Sequence, residues 1–212
     1  MRAFTICEGV AAPLLRDNID TDLIVRIERI AQLKRGQFAR WVFESWRYLP
    51  DGDENKDFVL NQVGFREAQI MLAGANFGCG SSREMAVWAL DEFGIRCIIA
   101  QSFGDIFFNN CLQNGVLAVT LDKASIDLLA TAAVAGGRVR VDLQGCIVSA
   151  EGVAPISFIF PEAQRDALLA GLDEIDQTLR LAAEIERFQQ HDRQARPWIH
   201  FSGDPVARDF ST

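Results

Sequence analysis

The sequence predicts an α/β protein with a mainly parallel core sheet, added β-strands and C-terminal helices. From residue 68 onward, AQIMLAG, RCIIA and VLAVTL read as buried strands separated by helical stretches, an alternation typical of parallel sheets. RVRVDL, CIVSA and ISFIF then follow one another as strands that continue the sheet. Beyond them, apolar residues from Leu168 to Ile185 recur at spacings of three and four, which indicates amphipathic helix.

The remaining elements follow in chain order. Residues 4–15 predict an opening strand that ends near Pro13, and the polar stretch RDNIDTD predicts a loop. The apolar and aromatic residues between Phe38 and Trp46 are spaced as in a helix. Helices are also predicted over 84–93, in FGDIFFNNCLQNG and in SIDLLATAAVAGG. The C-terminal helix is either continuous or broken near Gly171, and its apolar face either packs on its own domain or faces a partner.

Composition narrows the functional classes. The 212 residues carry 21 basic and 29 acidic side chains, a net charge of −8, which argues against nucleic-acid binding because phosphate contacts need a basic face. The apolar runs are too short to span a bilayer, so no membrane association is expected. Glu8, Gly9 and Pro13 interrupt the N-terminal apolar stretch, which makes it a poor signal peptide and predicts a cytoplasmic protein.

The residue types that commonly bind metals are scattered along the chain. Five cysteines occur without a C-x-x-C pair, which favours reduced thiols over a metal or iron–sulfur site held by this chain alone. The two histidines, His191 and His200, lie in the C-terminal region, far along the chain from the glycine-rich loop. The sequence therefore predicts that this chain binds no metal and no cofactor of its own.

The segment GANFGCGSSRE, residues 74–84, carries the most chemistry. A strand that enters a glycine-rich loop and then a helix is an anion-binding geometry, because free amides and the helix dipole favour negative charge there. Ser81 and Glu84 are spaced as in a capping box, which predicts a helix that begins at Ser81 or Ser82. Arg83 offers a fork for a carboxylate or phosphate. No lysine precedes the serines, so this is not a nucleotide P-loop. The residues alone leave two interpretations: a capped helix with a tight entry loop, or a site for a small carboxylate or phosphate.

The same segment resembles a known family. NFGCGSSRE followed by WAL resembles the signature of the 3-isopropylmalate dehydratase small subunits, which are the separate-chain form of the aconitase swivelling domain. Further resemblances to that family, in order, are DNIDTDLI, FESWRY, IIAQSFGDIFFNN, NGVLAV and GLDEIDQTL. The resemblance implies one β/β/α swivelling domain over 1–198, with a helical segment at about 162–194 and a tail at 199–212.

The resemblance also implies a function. The implied function is that of a hydro-lyase subunit, which is active only with a large subunit that carries a 4Fe-4S cluster. The assembled enzyme dehydrates and rehydrates a small hydroxy-dicarboxylate. In leucine biosynthesis this interconverts 2-isopropylmalate and 3-isopropylmalate. By the same resemblance, Ser81 is the catalytic base that removes a proton from carbon, the cluster's open iron acts as Lewis acid, and Ser82, Arg83, Arg35 and Asp22 bind substrate. Asp22 has an alternative role as a turn-capping carboxylate.

Four residues depart from the family pattern: Met85, Val87, Arg26 and Asp176. These four differences change the surroundings of Ser81 and Arg83 but leave both residues in place. Two alternatives to the function of the family therefore stay open. One is a related hydratase for another acid, such as citraconate, dimethylmaleate or a homoaconitate-like acid. The other is a non-catalytic anion-binding or assembly module.

Overall fold

The fold is taken from a computed structural model that describes residues 1–199. The predicted tail, 199–212, lies outside the described residues apart from Ile199. Contact density divides the chain into a unit over Met1–Asp173 and a C-terminal unit that begins at Glu174. None of the described helices is long and apolar enough to cross a membrane.

Strands and helices alternate between residues 70 and 142, and two further strands then follow without a helix. The strands are β1 (Ile6–Gly9), β2 (Ala11–Leu14), β3 (Ile70–Ala73), β4 (Cys97–Ala100), β5 (Leu117–Thr120), β6 (Val139–Asp142), β7 (Ile147–Ala150) and β8 (Val153–Ser157). The helices are α1 (Thr21–Ile24), α2 (Ile27–Ile30), α3 (Glu44–Arg47), α4 (Glu84–Phe93), α5 (Asp105–Asn114), α6 (Lys123–Val134), α7 (Glu162–Ala170), α8 (Glu174–Leu179) and α9 (Ala182–Ala195). Short 3₁₀ turns lie at Ala39–Trp41, Val59–Asn61 and Pro197–Ile199.

A four-stranded parallel sheet forms the centre of the first unit, in the order β2-β3-β4-β5. Its side chains alternate between two cores, as a strand's period of two requires. Ile70 and Ile99 face one core, which they share with the second sheet and α6, whereas Met71 and Ile98 face the other, which they share with α4 and α5. Because both faces are covered, β3 and β4 are buried along their whole length, as is usual for parallel strands.

The remaining strands form a separate sheet. β1, β6, β7 and β8 pair antiparallel in the order β1-β6-β7-β8. The prediction that RVRVDL, CIVSA and ISFIF continue the parallel sheet is therefore wrong. Strands joined by short turns cannot run parallel, because a parallel connection needs a crossover. The predicted strand over 4–15 is likewise two strands, one in each sheet.

The helices of the core match their predictions more closely. α4 spans the predicted residues 84–93 and ends at Gly94 in a left-handed cap, and α5 ends in the same way at Gly115. The helical pattern between Phe38 and Trp46 is instead broken, because Val42 is extended and Phe43 takes a left-handed conformation with φ of 52°. The C-terminal helix is broken at Gly171, which agrees with one of the two predicted alternatives, and again between α8 and α9.

Candidate functional site

The glycine-rich loop after β3 lies between two neighbouring loops. The Gly78 amide donates to the Ile19 carbonyl at 2.7 Å, in the loop that follows β2. The Phe77 amide donates to the Ser102 carbonyl at 3.0 Å, and the Gly104 amide returns a bond to the Phe77 carbonyl at 2.9 Å. The three loops thus meet at the carboxyl ends of adjacent parallel strands, the edge where α/β proteins usually bind ligands.

Close packing requires two of the glycines. Gly78 has φ of +73°, and a Cβ built on it would lie 2.1 Å from Cγ of Phe107. A Cβ on Gly104 would lie 2.8 Å from the Gly78 carbonyl oxygen. The sequence predicted glycines that let the backbone approach a ligand, whereas at these two positions they let the loop approach the start of α5.

The helix after the loop begins at Glu84, as its apolar spacing predicts, and not at Ser81 or Ser82, as the capping-box spacing predicts. α4 starts at Glu84 with Arg83 as its N-cap, and no side chain caps it, so the predicted capping box between Ser81 and Glu84 is wrong. The Glu84 carboxylate instead accepts hydrogen bonds from Trp88 Nε1 at 3.2 Å and Asn114 Nδ2 at 3.0 Å. The Ser81 carbonyl accepts a bond from the Thr21 hydroxyl at 2.8 Å. Both ends of the expected box are therefore held by distant residues.

Ser81 lines an open depression of about 270 Å³. Its walls are Thr21, residues 78–81 with Arg83, and residues 104–107, which form the N-terminal end of α5. The first amides of a helix have no intrahelical acceptor, and the dipole makes that end positive. Gly104, the N-cap of α5, has no side chain to satisfy them. The exposed Ser81 hydroxyl therefore shares its depression with the positive end of α5, together with the Asp105 carboxylate.

Arg83 and Asp22 are brought together by the fold. The guanidinium of Arg83 forms an ion pair with the Asp22 carboxylate through Nη1, which also lies 3.4 Å from the Val25 carbonyl oxygen. The Arg83 side chain is 13% exposed and that of Asp22 is 58% exposed. Asp22 also accepts a bond from the Ile27 amide at 3.3 Å, so it serves the local backbone as well as the arginine.

Of the four predicted substrate-binding residues, Arg83 lines the depression, whereas Asp22, Ser82 and Arg35 do not. Ser82 is exposed and does not line it. Arg35 donates from Nη2 to Asn114 Oδ1 at 3.0 Å, and its guanidinium carbon lies 5.0 Å from the centre of the Trp88 ring. Arg35 therefore lies against the first turns of α4 rather than beside Ser81.

Within the first unit, the residues that depart from the family pattern do not line the depression. Val87 is fully buried, and Met85 is partly buried against the same core. Arg26 is exposed and pairs with Glu28 at 3.3 Å, and Asp176 lies in α8.

Burial disfavours the thiolate form of three cysteines. Burial raises the pKa of the Cys97 and Cys111 thiols, and burial followed by the nearby Asp20 carboxylate raises the pKa of Cys79 in the depression. Over residues 1–199, no group of three or more His, Cys, Asp or Glu side chains could hold a metal ion.

Three features of the site escaped the sequence reasoning: the Thr21 hydroxyl, the start of α5 and Asn114. Thr21 lies between Asp20 and Asp22 in the segment DNIDTDLI, and this position was the signal that could have revealed it. The other two depend on contacts between residues far apart in sequence, and no local pattern marks them.

Comparison with known proteins gives a consistent result. The family model for the aconitase C-terminal domain matches residues 1–124. A 3-isopropylmalate dehydratase small subunit from Cupriavidus necator is 51% identical over 208 residues, covering 96% of this chain and 100% of that protein. Its counterpart from Rhodospirillum rubrum is 43% identical, covering 98% and 99%. The crystal structure of a 3-isopropylmalate dehydratase from Methanocaldococcus jannaschii shares the fold, with a TM-score of 0.64 at 24% identity, covering 86% of this chain and 99% of that one.

Proposed function

This chain belongs to the family of 3-isopropylmalate dehydratase small subunits, and from that premise we propose that it is the small subunit of a hydro-lyase of leucine biosynthesis. With a large subunit, the enzyme interconverts 2-isopropylmalate and 3-isopropylmalate by reversible dehydration. The family and the aconitase-type fold that the sequence predicts are confirmed. The observation that carries the proposal is that Ser81 and Arg83 of the family signature line one depression.

In this proposal Ser81 accepts the proton that leaves the substrate carbon. A serine hydroxyl is a weak acid, so its oxyanion must be stabilised by fixed dipoles. The start of α5, which lines the same depression, supports this role better than α4, which begins only at Glu84. The Thr21 hydroxyl donates to the Ser81 carbonyl and so holds the serine backbone at the depression.

Arg83 is proposed to bind a substrate carboxylate. Its Nη1 is engaged by Asp22, which leaves the remaining guanidinium donors for a carboxylate. Asp22 then orients the arginine, and Arg35 and Ser82 would contact the substrate from outside the depression once a partner closes over it. The open shape of the depression supports a site that the large subunit completes.

The partner is proposed to carry the 4Fe-4S cluster that the family implies. The described residues of this chain do not fit a cluster, because no group of suitable side chains lies together. The chain therefore contributes the base and the carboxylate-binding arginines, and the large subunit contributes the metal. All five cysteines are free thiols, which is consistent with a cytoplasmic location.

The substrate is proposed to be isopropylmalate rather than another hydroxy acid. Met85 and Val87 are two of the four departures that left a different substrate open, and both pack against the core without lining the depression. Identity of 51% over nearly the whole chain supports the same choice.

The test is reconstitution of the chain with its large subunit, followed by assays on a panel of hydroxy di- and tricarboxylates. We expect highest kcat/KM for isopropylmalate, and we expect Ser81→Ala to abolish turnover while the subunits still associate. Ser149→Ala, in β7 of the other sheet, is the matched control and should keep full activity. Near-normal turnover by Ser81→Ala would refute the role of the serine, and a preference for another acid would refute the substrate.

A further inference from the structure

A buried amide connects Arg35 to the start of α4. Asn114, the last residue of α5, is 7% exposed and makes four hydrogen bonds. Its Oδ1 accepts from Arg35 Nη2 and from Trp88 Nε1, each at 3.0 Å. Its Nδ2 donates to Glu84 Oε1 at 3.0 Å and to the Asn110 carbonyl at 2.9 Å. The amide thus uses its full hydrogen-bonding capacity.

The segment around Arg35 is fixed along one face of α4. Glu84, Trp88 and Glu92 recur every four residues, so they lie on the same side of the helix. The Glu92 carboxylate accepts hydrogen bonds from the amides of Gly36 and Phe38, each at 2.5 Å, which holds the backbone directly after Arg35. Trp88 stacks with the guanidinium, and Glu84 anchors Asn114.

These contacts hold an otherwise exposed arginine in one place. The guanidinium has a planar stacking surface at Trp88 and a single hydrogen-bond acceptor at Asn114 Oδ1, which together fix its position and its orientation. One Nη atom is used, so the other donors of the fork stay available for a carboxylate. Because Glu84 directly follows Arg83, this arrangement places Arg35 at the same end of α4 as the second proposed carboxylate-binding arginine.

We infer that Asn114 is a positioning residue, which holds Arg35 in the orientation that binds a substrate carboxylate. The inference rests on the proposed function, since it takes Arg35 as a substrate-binding residue. Without Asn114, the long Arg35 side chain must be ordered each time substrate binds. That loss of preorganisation predicts a KM about 3- to 10-fold higher, with a smaller change in kcat.

The test is a double-mutant cycle in the reconstituted enzyme. Asn114→Leu, of similar volume, and Asn114→Ser, which leaves room for water, are each combined with Arg35→Ala. We expect either Asn114 variant to raise KM in the wild-type background and to have no further effect on KM once Arg35 is alanine. The matched control is Asn61→Leu, because Asn61 is another buried amide (3% exposed), which accepts from Nε of the buried Arg47 at 3.1 Å. That control should lower the unfolding midpoint and leave KM unchanged.

The outcomes separate the two claims. An equal rise in KM in both backgrounds, or no rise in the wild-type background, overturns the positioning role and leaves Asn114 a purely structural residue. If Arg35→Ala itself leaves KM unchanged, Arg35 binds no substrate and the inference also fails. The proposed function is tested separately, by the activity of the reconstituted wild-type enzyme on isopropylmalate.

Discussion

Gly78→Ala is predicted to destabilise the protein strongly, because the glycine meets two constraints at once. Its φ of +73° is unfavourable for any residue with a Cβ, and the new Cβ would lie 2.1 Å from Cγ of Phe107. Phe107 cannot move aside easily, since it is 2% exposed and its ring packs edge-on against Phe77 with 5.4 Å between the ring centres.

The size of the effect follows from these two constraints. A left-handed conformation costs a residue with a Cβ about 1–2 kcal/mol. Forcing an extra methyl group into a packed core costs about 1–3 kcal/mol more. The free energy of unfolding should therefore fall by about 2–5 kcal/mol, a large part of the stability of an ordinary domain.

A matched control separates the two contributions. Gly52 has φ of +91° and no atom within 4 Å of a built Cβ, so Gly52→Ala should show the backbone cost alone. Urea denaturation followed by tryptophan fluorescence gives both values. If Gly78→Ala and Gly52→Ala lose the same free energy, the contact with Phe107 is unimportant and the reasoning is wrong. Phe107→Leu combined with Gly78→Ala should recover part of the difference, because the two changes share one contact.

Three further predictions concern single contacts. Thr21→Val should lower the free energy of unfolding by about 1 kcal/mol, and should reduce kcat, because the Ser81 carbonyl loses its donor, whereas Thr21→Ser should retain both. Asp22→Asn should change the free energy of unfolding by less than about 1 kcal/mol, since the aspartate is largely exposed, but should reduce turnover by releasing Arg83. A fall in the free energy of unfolding as large, in kcal/mol, as the loss of turnover would contradict this. Burial raises the pKa of the Cys111 thiol, so above about pH 9 the unfolded chain releases that proton first and the folded state loses stability. In Cys111→Ala, the free energy of unfolding should therefore fall by about 1.4 kcal/mol less for each pH unit than in the wild type, measured by urea denaturation at increasing pH.

The sequence predicted elements well where the local pattern decided them. The bounds of α4 matched because its apolar spacing is regular and Gly94 terminates it. The capping box was mispredicted because Ser81 and Glu84 have its spacing, whereas the Glu84 carboxylate in fact accepts a hydrogen bond from Asn114. A residue thirty positions away therefore outcompetes a local partner, and no local rule can anticipate that.

Local sequence patterns also failed to predict how the strands pair into sheets. RVRVDL, CIVSA and ISFIF were correctly identified as strand-forming sequence, although the last strand in fact ends at Ser157. Their assignment to the parallel sheet failed because strand propensity does not specify a partner. The lack of helices between them was the usable signal, since strands joined by short turns pair antiparallel.

The electrostatic surroundings of Ser81 show the consequence for function. Ser81 lies close to α4 in sequence, but α4 begins only after Arg83, so the first amides of α4 lie beyond the serine. In a parallel sheet, the loops after neighbouring strands meet at one edge, so the loop after β4 brings the first turn of α5 to the same depression. Close approach of those loops needs glycine at both 78 and 104, where any Cβ would collide. Residues 104–107 therefore belong to the site as much as the signature segment does, although their side chains carry none of its proposed chemistry.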